Sequence, residues 1–213
     1  MEIRKEEVLR YLGYRDAAAD ERVLELVQQL SKELHNCVAP KSIYGIWGCH
    51  VDPPTVTLGN MTIQSKDLSQ HLGGSCLAVL LAATLGSGAD TLIRHYSALD
   101  MEKAVIAQAI CTAMIETYCD HIESELIQRP EAEGLFLTTR FSPGYGDFDI
   151  IHQKDILQLL DAGKRIGLTL TDGYMLAPSK SVIAVIGFTE KKDCGEEKCE
   201  NCDKKDCEFR ILT

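Results

Sequence analysis

Between residues 5 and 35 the apolar positions Val8, Leu9 and Leu12, then Val23, Leu24, Leu26, Val27, Leu30 and Leu34, recur at helical spacing, with Gly13 between the two groups. The spacing predicts two helices, the second starting after Asp16 or Asp20, either of which can cap its first free N–H groups. From Ser42 to Ser65 the period changes to alternation rich in β-branched and aromatic residues, interrupted at Asp52-Pro53-Pro54. Val56-Thr57-Leu58 then faces Met61-Thr62-Ile63 across Gly59-Asn60, which predicts a hairpin. Ser65 opens a short helical stretch that Gly73-Gly74 stops. The apolar run Cys76 to Leu85 behind it has the length and glycine flanks of a buried strand.

A helix-rich block follows from Ala89 to Ile127, with Leu92, Ile93 and Tyr96 on one helix and Val105, Ile106, Ile110, Ala113, Met114, Tyr118 and Ile122 on the next, which Asp100 can cap. Leu135 to Arg140 reads as a strand that runs into the turn Ser142-Pro143-Gly144-Tyr145-Gly146. A helix from about Ile150 to Asp161, a turn at Gly163, a strand at Leu168 to Thr171 and a last strand from Val182 to Phe188 complete the body. Beyond Thr189 charge, glycine and cysteine replace the aliphatics, which sets a boundary between a domain at 1–189 and an appendage at 190–213.

Composition narrows the function. With 45% hydrophobic residues in 213, the chain can bury one sizeable core. Its 32 acidic against 22 basic residues, a formal charge of −10, argue against nucleic acid or an anionic membrane as the partner. The run Cys76 to Leu85 is ten residues, too short to cross the roughly 30 Å hydrocarbon layer as a helix. The opening MEIRKEEVLRYLGYR is charged from its second residue and has no signal-peptide core, so the expected location is cytoplasmic, where clustered cysteines point to metal rather than disulfides.

The Pro-Gly turn between Arg140 and Tyr145 exposes backbone groups at a strand end, which suits contact with a polar ligand. The plain alternative is an ordinary turn with Arg140 on the surface and Tyr145 covering the sheet end. RFSPGYGDFD resembles the Arg-x-x-x-Gly-Tyr signature of the activation domain of cobalamin-dependent methionine synthase, through Arg140, Gly144 and Tyr145. LTDGYMLAPSKSVIAVIGF is similar to a later stretch of that family through Thr171, Asp172, Tyr174, Pro178, Ser181 and Val182. Ala113-Met114-Ile115-Glu116 is similar to the family's Ala-x-x-Glu helix, and EVLRYLGYR resembles free-standing versions of the domain. After Gly-Tyr many family members carry a proline within a few residues, often after a cysteine, whereas here Gly146-Asp147-Phe148-Asp149 follows.

The resemblance implies an α/β fold of the α+β type, a twisted antiparallel sheet flanked by helices, that binds S-adenosylmethionine in a shallow groove and caps the cobalamin carried by a partner methionine synthase or corrinoid protein. It implies repair: an electron from a flavodoxin-type or ferredoxin-type donor and a methyl group from S-adenosylmethionine restore methylcobalamin after oxidation. The ligand's carboxylate calls for a guanidinium and its cationic groups for carboxylates. Arg140, Glu116, Pro143, Gly144, Tyr145, Pro178 and Ser181 are the expected binding residues, and Tyr145 is the expected reaction-side group. A cobalamin-protein cap without catalysis and an electron-transfer adaptor are the competing functions.

Cys194, Cys199, Cys202 and Cys207 fall within 14 residues at C-x4-C-x2-C-x4-C, in a segment with eight acidic and six basic side chains from Glu190 to Arg210. Such a segment cannot fold by burial. Four thiolates on one iron–sulfur cluster, favoured by the short outer spacings, or on one zinc, would supply the missing energy; a tail of reduced thiols is the plain reading. Elsewhere, Cys76, Cys111 and Cys119 are expected as small core residues, and Cys49-His50 as neighbours pointing to opposite strand faces. His95, His121 and His152 are expected on helices without partners at i+3 or i+4. Gly86-Ser87-Gly88 offers a weak anion cradle at a helix start.

Overall fold

The computed structural model describes residues 3–14, 19–129 and 132–190. The expected thiolate set at Cys194, Cys199, Cys202 and Cys207, like the candidate cap Asp16, lies outside them. Two helices open the chain, α1 (Lys5–Tyr11) and α2 (Glu21–Cys37), and Asp20 caps the second by accepting from Arg22 N–H. The long strand β1 (Lys41–Asp52) turns at Pro53-Pro54 into the hairpin β2 (Thr55–Leu58) and β3 (Met61–Gln64), paired Leu58 to Met61 and Thr57 to Thr62. Ser65 caps α3 (Lys66–His71) by accepting from Leu68 N–H. The apolar run forms β4 (Ser75–Thr84), and α4 (Ser87–Leu99) and α5 (Met101–Leu126) follow, the second capped by Asp100. The remainder is β5 (Phe136–Leu137), α6 (His152–Leu159), α7 (Ala162–Ile166), β6 (Thr169–Leu170), β7 (Leu176–Ala177) and β8 (Ser181–Thr189).

Six strands form one sheet in the order β3-β2-β1-β4-β8-β5, antiparallel throughout, and β6 pairs with β7 in a small ribbon. Strands β4 and β8 are covered on both faces, which explains their nearly unbroken apolar sequence. Val79, Leu81, Ala83, Ile186 and Phe188 face a layer built from α1, α2, α4 and α5. Ala78, Leu80, Ala82, Ile183 and Val185 face a second core with β2, β3, α3, α6 and α7. Helix α5, about 39 Å long by its 26 residues, buries Ala104, Ala107, Ala109 and Ala113 among its packing residues, so α1, α2 and α4 lie close against it.

Four local expectations are corrected. Cys76 is exposed: the register of β4 against β8 shifts between Ser75 and Leu77, and the residue between them drops out of the ladder, while Cys111 and Cys119 are buried with thiols pushed up to about 12 by burial. Gly163 lies inside α7, which Ala162 and Ile166 anchor in the second core after Asp161 reverses the chain at a φ of 52°. The strand expected at Leu135 to Arg140 is regular only at Phe136–Leu137, with Thr138 hydrogen-bonded to Gly187 beyond it. His121 lies 3.4 Å from Glu125 and His152 lies 3.1 Å from Asp155, carboxylates at the i+4 and i+3 positions expected to hold no partner. The Gly86-Ser87-Gly88 turn serves packing, since a Cβ on Gly88 would stand 1.9 Å from the carbonyl oxygen of Cys37. The Asp90 carboxylate in the first turn of α4 is engaged by the backbone N–H and hydroxyl of Ser179. Among the described residues no helix is long and apolar enough to cross a membrane.

Candidate functional site

The shortness of β5 creates the site. It pairs with β8 at Phe188 and Thr189; Thr138 then donates its N–H to the Gly187 carbonyl and accepts from the Gly187 N–H with its hydroxyl, and Phe141 adds a single bridge at Val185. Toward Ser181 no strand among the described residues pairs with this edge, and ladder alternation turns the backbone N–H and C=O of Ile183 to the same side as those of Val185. Along this edge runs a groove of about 750 Å³ between α5 on one face and α6 and β7 on the other. Glu116, Asp120 and Glu123 line one wall; Gln153 and Leu176 line the other; Thr139 to Pro143 and Tyr145 close the end, and Ser181 to Ile183 form the floor.

Glu116, Asp120 and Glu123 stand at i, i+4 and i+7 and so share one face of α5. All three hold the guanidinium of Arg140: one Nη donates to Glu116 at 2.8 Å and to Asp120 at 2.9 Å, and the other donates to Glu123. Burial works against the charge on Arg140, but Glu123, Cys119 and Glu116 beside it hold its pKa above the ordinary value. Burial pushes Glu123 up, and the neighbouring Asp120 and Glu116 add to this, against the lowering effect of Arg140. Three carboxylates to one guanidinium leave a surplus of two negative charges on this wall.

The loop after Arg140 is closed by its own backbone. Gly144 N–H donates to the Phe148 carbonyl at 2.7 Å with Gly144 at a φ of 98°, a conformation that favours glycine, and Tyr145 N–H donates to Ser142 at 3.2 Å. Phe148 is fully buried and lies in a stack of rings, His71 on Phe141 on Phe148 on His152. Next to it, Asp147 accepts from the Ser65 hydroxyl at 2.5 Å and from the N–H groups of Lys66 at 2.8 Å and Asp67 at 3.1 Å, while its own N–H donates to Asp67 at 3.1 Å. The Ser65 hydroxyl and the Lys66 and Asp67 N–H groups hold the Asp147 carboxyl below its ordinary pKa. At the other end of α3, His71 Nε2 lies 2.7 Å from the Thr139 carbonyl and 3.1 Å from the Thr138 hydroxyl. Helix α3 thus grips both limbs of the loop, and Tyr145 stands between them, 68% exposed at the groove rim.

The groove brings together five of the residues expected from the sequence: Glu116, Arg140, Pro143, Tyr145 and Ser181. Gly144 shapes the loop behind the lining. Pro178 stands back from the groove; its carbonyl lies 2.7 Å from the hydroxyl of Ser181, which is also 2.7 Å from Thr84 Oγ1, so this hydroxyl is occupied in holding the entry to β8. Arg140 is not on the open surface, and Tyr145 does not cover the sheet end. Sequence reasoning missed Asp120 and Glu123, although their spacing from Glu116 is a helical stripe, and missed Gln153. The Gln153 residue is 8% exposed, and its Oε1 is buried with no partner among the described residues. A buried polar atom in that state costs about 1–3 kcal/mol.

No curated protein matches the chain. Among solved structures, a crystal structure of the MetH reactivation domain bound to AdoHcy superposes with a TM-score of 0.60 over 88% of this chain and 77% of that one, at 15% identity, a likeness of fold. Residues 63–201 match the family described as vitamin B12 dependent methionine synthase, activation domain. That span takes in α3, the acidic wall of α5, the Arg140 loop and β8, every element that builds the groove, and the chain belongs to this family of activation domains.

Proposed function

We propose that the groove binds S-adenosylmethionine and that the protein supports reductive remethylation of the cobalamin of a partner methionine synthase or related corrinoid methyltransferase. The observation that supports this most is the meeting of the Arg140–Tyr145 loop with a wall of three carboxylates at one sheet edge. S-adenosylmethionine carries a sulfonium, an α-ammonium and a carboxylate, and a wall with two surplus negative charges suits a ligand with two cationic groups. Arg140 orders the three acids, and of its five N–H groups the two without a partner among the described residues suit a ligand carboxylate. Bound at sulfur, the methyl group is already activated for transfer to a reduced cobalt centre, so the protein's own work is to bind, orient and screen. Tyr145 then presents its ring and phenolic hydroxyl on the side from which a partner approaches. Ile150 and Ile151, which precede Gln153 at the start of α6, and Met175, next to Leu176, are exposed apolar residues fit to meet the flank of a corrin.

The electron comes, on this reading, from a flavodoxin-type or ferredoxin-type donor. On the same reading the domain closes with β8, whose last residue is Thr189, and the segment from Glu190 is an appendage that holds an iron–sulfur cluster or a zinc on Cys194, Cys199, Cys202 and Cys207. Calorimetry with S-adenosylmethionine tests binding. Remethylation of a cobalamin-loaded methionine synthase that lacks its own activation domain, with a chemical reductant, tests the activity. We expect saturable binding and a methylation rate that depends on this protein. Absence of binding refutes the reading, and binding without any effect on the rate favours a cap over a reactivation component.

A further inference from the structure

The two walls of the groove differ in kind. On the α5 side every polar lining group is charged, whereas the α6 and β7 side offers Gln153 and Leu176, next to Phe141 and Ile183. Gln153 sits in the first turn of α6, which is fixed from several directions: Ile156 and Leu157 are buried in the second core, His152 stacks on Phe148, and His152 is paired with Asp155. The Gln153 side chain is thus a firmly mounted amide, more than nine-tenths buried, with an oxygen that no described residue satisfies.

A buried acceptor in a ligand groove is completed by a donor on the ligand. The cationic donors of an adenosyl amino acid belong with the carboxylates of α5. The neutral donor that remains on a flat, apolar part of such a molecule is the exocyclic amine of the adenine. We propose that Gln153 reads the adenine ring: its Oε1 accepts from the exocyclic amine while its Nε2 faces an adjacent ring nitrogen, the donor–acceptor pair by which a carboxamide matches adenine. Gln153 is in this sense a specificity-determining residue that selects adenine over a purine with a carbonyl at the same position. The inference rests on the proposed adenosyl ligand.

The test compares S-adenosylhomocysteine with S-inosylhomocysteine, which exchanges the exocyclic amine for a carbonyl and keeps the ribose and amino-acid parts. Calorimetry on the full chain should show S-adenosylhomocysteine preferred by about tenfold or more. Gln153→Met, close in shape and without polar atoms, should bind S-adenosylhomocysteine about tenfold more weakly and discriminate less than threefold. Its melting temperature without ligand should be equal or higher, because an unsatisfied acceptor is gone. Gln153→Ala should give the same loss of discrimination. If wild type binds S-adenosylhomocysteine but takes the inosyl analogue equally well, or if Gln153→Met melts lower and keeps the full preference, Gln153 has only a structural role. If neither compound binds wild type, the adenosyl reading of the groove fails instead.

Discussion

Replacing Arg140 by alanine should separate the structural part of the groove from its ligand chemistry. The side chain ties three residues of α5 to the loop, and its removal leaves Glu116, Asp120 and Glu123 facing one another without a cation. Breaking a fully buried pair from one side costs about 3–5 kcal/mol. Here Asp120 and Glu116 are open to solvent at 66% and 40% of their side chains, so the penalty concentrates on Glu123, at 23%. We expect a loss of about 2–4 kcal/mol, a fall in Tm of about 4–16 °C for a chain of this size. The loss should also depend on pH in a definite direction. Glu123 is already raised in the folded protein, and without Arg140 it loses the neighbour that lowers it. A carboxylate raised on folding destabilises in its ionised form, and protonation relieves it, so the deficit of Arg140→Ala should be largest at neutral pH and shrink as the solution becomes acidic. Urea unfolding of both proteins near pH 8 and near pH 5 measures it. A deficit that is constant or grows toward acid refutes the account of Glu123 as the exposed cost. Arg140→Lys should recover part of the stability and lose the multiple contacts, since an ammonium lacks the planar fork.

Tyr145→Phe should leave the melting curve within about 0.5 kcal/mol, as its side chain is exposed, and ligand affinity within a few-fold, yet slow remethylation in the presence of the partner; a collapse of ligand binding instead makes Tyr145 a groove wall. Gly146→Ala should destabilise by about 1–2 kcal/mol, because Gly146 has a φ of 55° and a Cβ there would stand 2.1 Å from Asp67 Oδ2; thermal melting that matches wild type shows that the loop can move away. Truncation after Thr189 should leave a folded, ligand-binding domain, since β8 ends there. Anaerobically purified full chain should carry either about four irons with matching sulfide or one zinc, released by Cys199→Ser or Cys202→Ser; four freely alkylated thiols without metal contradict this.

Where local chemistry decides the structure, the sequence was readable. Asp20, Ser65 and Asp100 cap the helices expected of them, Gly59-Asn60 turns the hairpin, and the apolar runs of β4 and β8 lie between two cores. Tertiary contact decided the rest. Gly163 favours a turn in isolation, but burial of Ala162 and Ile166 holds it in α7. Leu135 to Arg140 reads as a full strand, but the ladder stops at Leu137: Thr138 still exchanges hydrogen bonds with Gly187, and after Thr139 and Arg140 the chain meets β8 again at Phe141. In the site, the Arg140–Tyr145 loop and Glu116 carried a family signature. Asp120 and Glu123 had the right spacing but no cation in the sequence to pair with, because Arg140 comes from a different element. Gln153 had no signal at all: a polar residue in the first turn of a helix is ordinarily solvated.

The contact between Asp147 and α3 has a consequence for how the loop is stiffened. A proline after Gly-Tyr would restrict the backbone covalently, under all conditions. This chain uses a carboxylate as a removable latch, in which one side chain collects a hydroxyl and two amide protons. These donors favour ionised Asp147, so the latch is closed across the neutral range and opens only below the ordinary aspartate pKa. Because His71 holds the upstream limb from the same short helix, a shift of α3 would carry both limbs together and change the height of Tyr145 over the groove without reshaping the turn. Reach and shape of the loop are thereby set by separate parts of the chain, and substitutions on α3 can tune the first while Gly144 preserves the second.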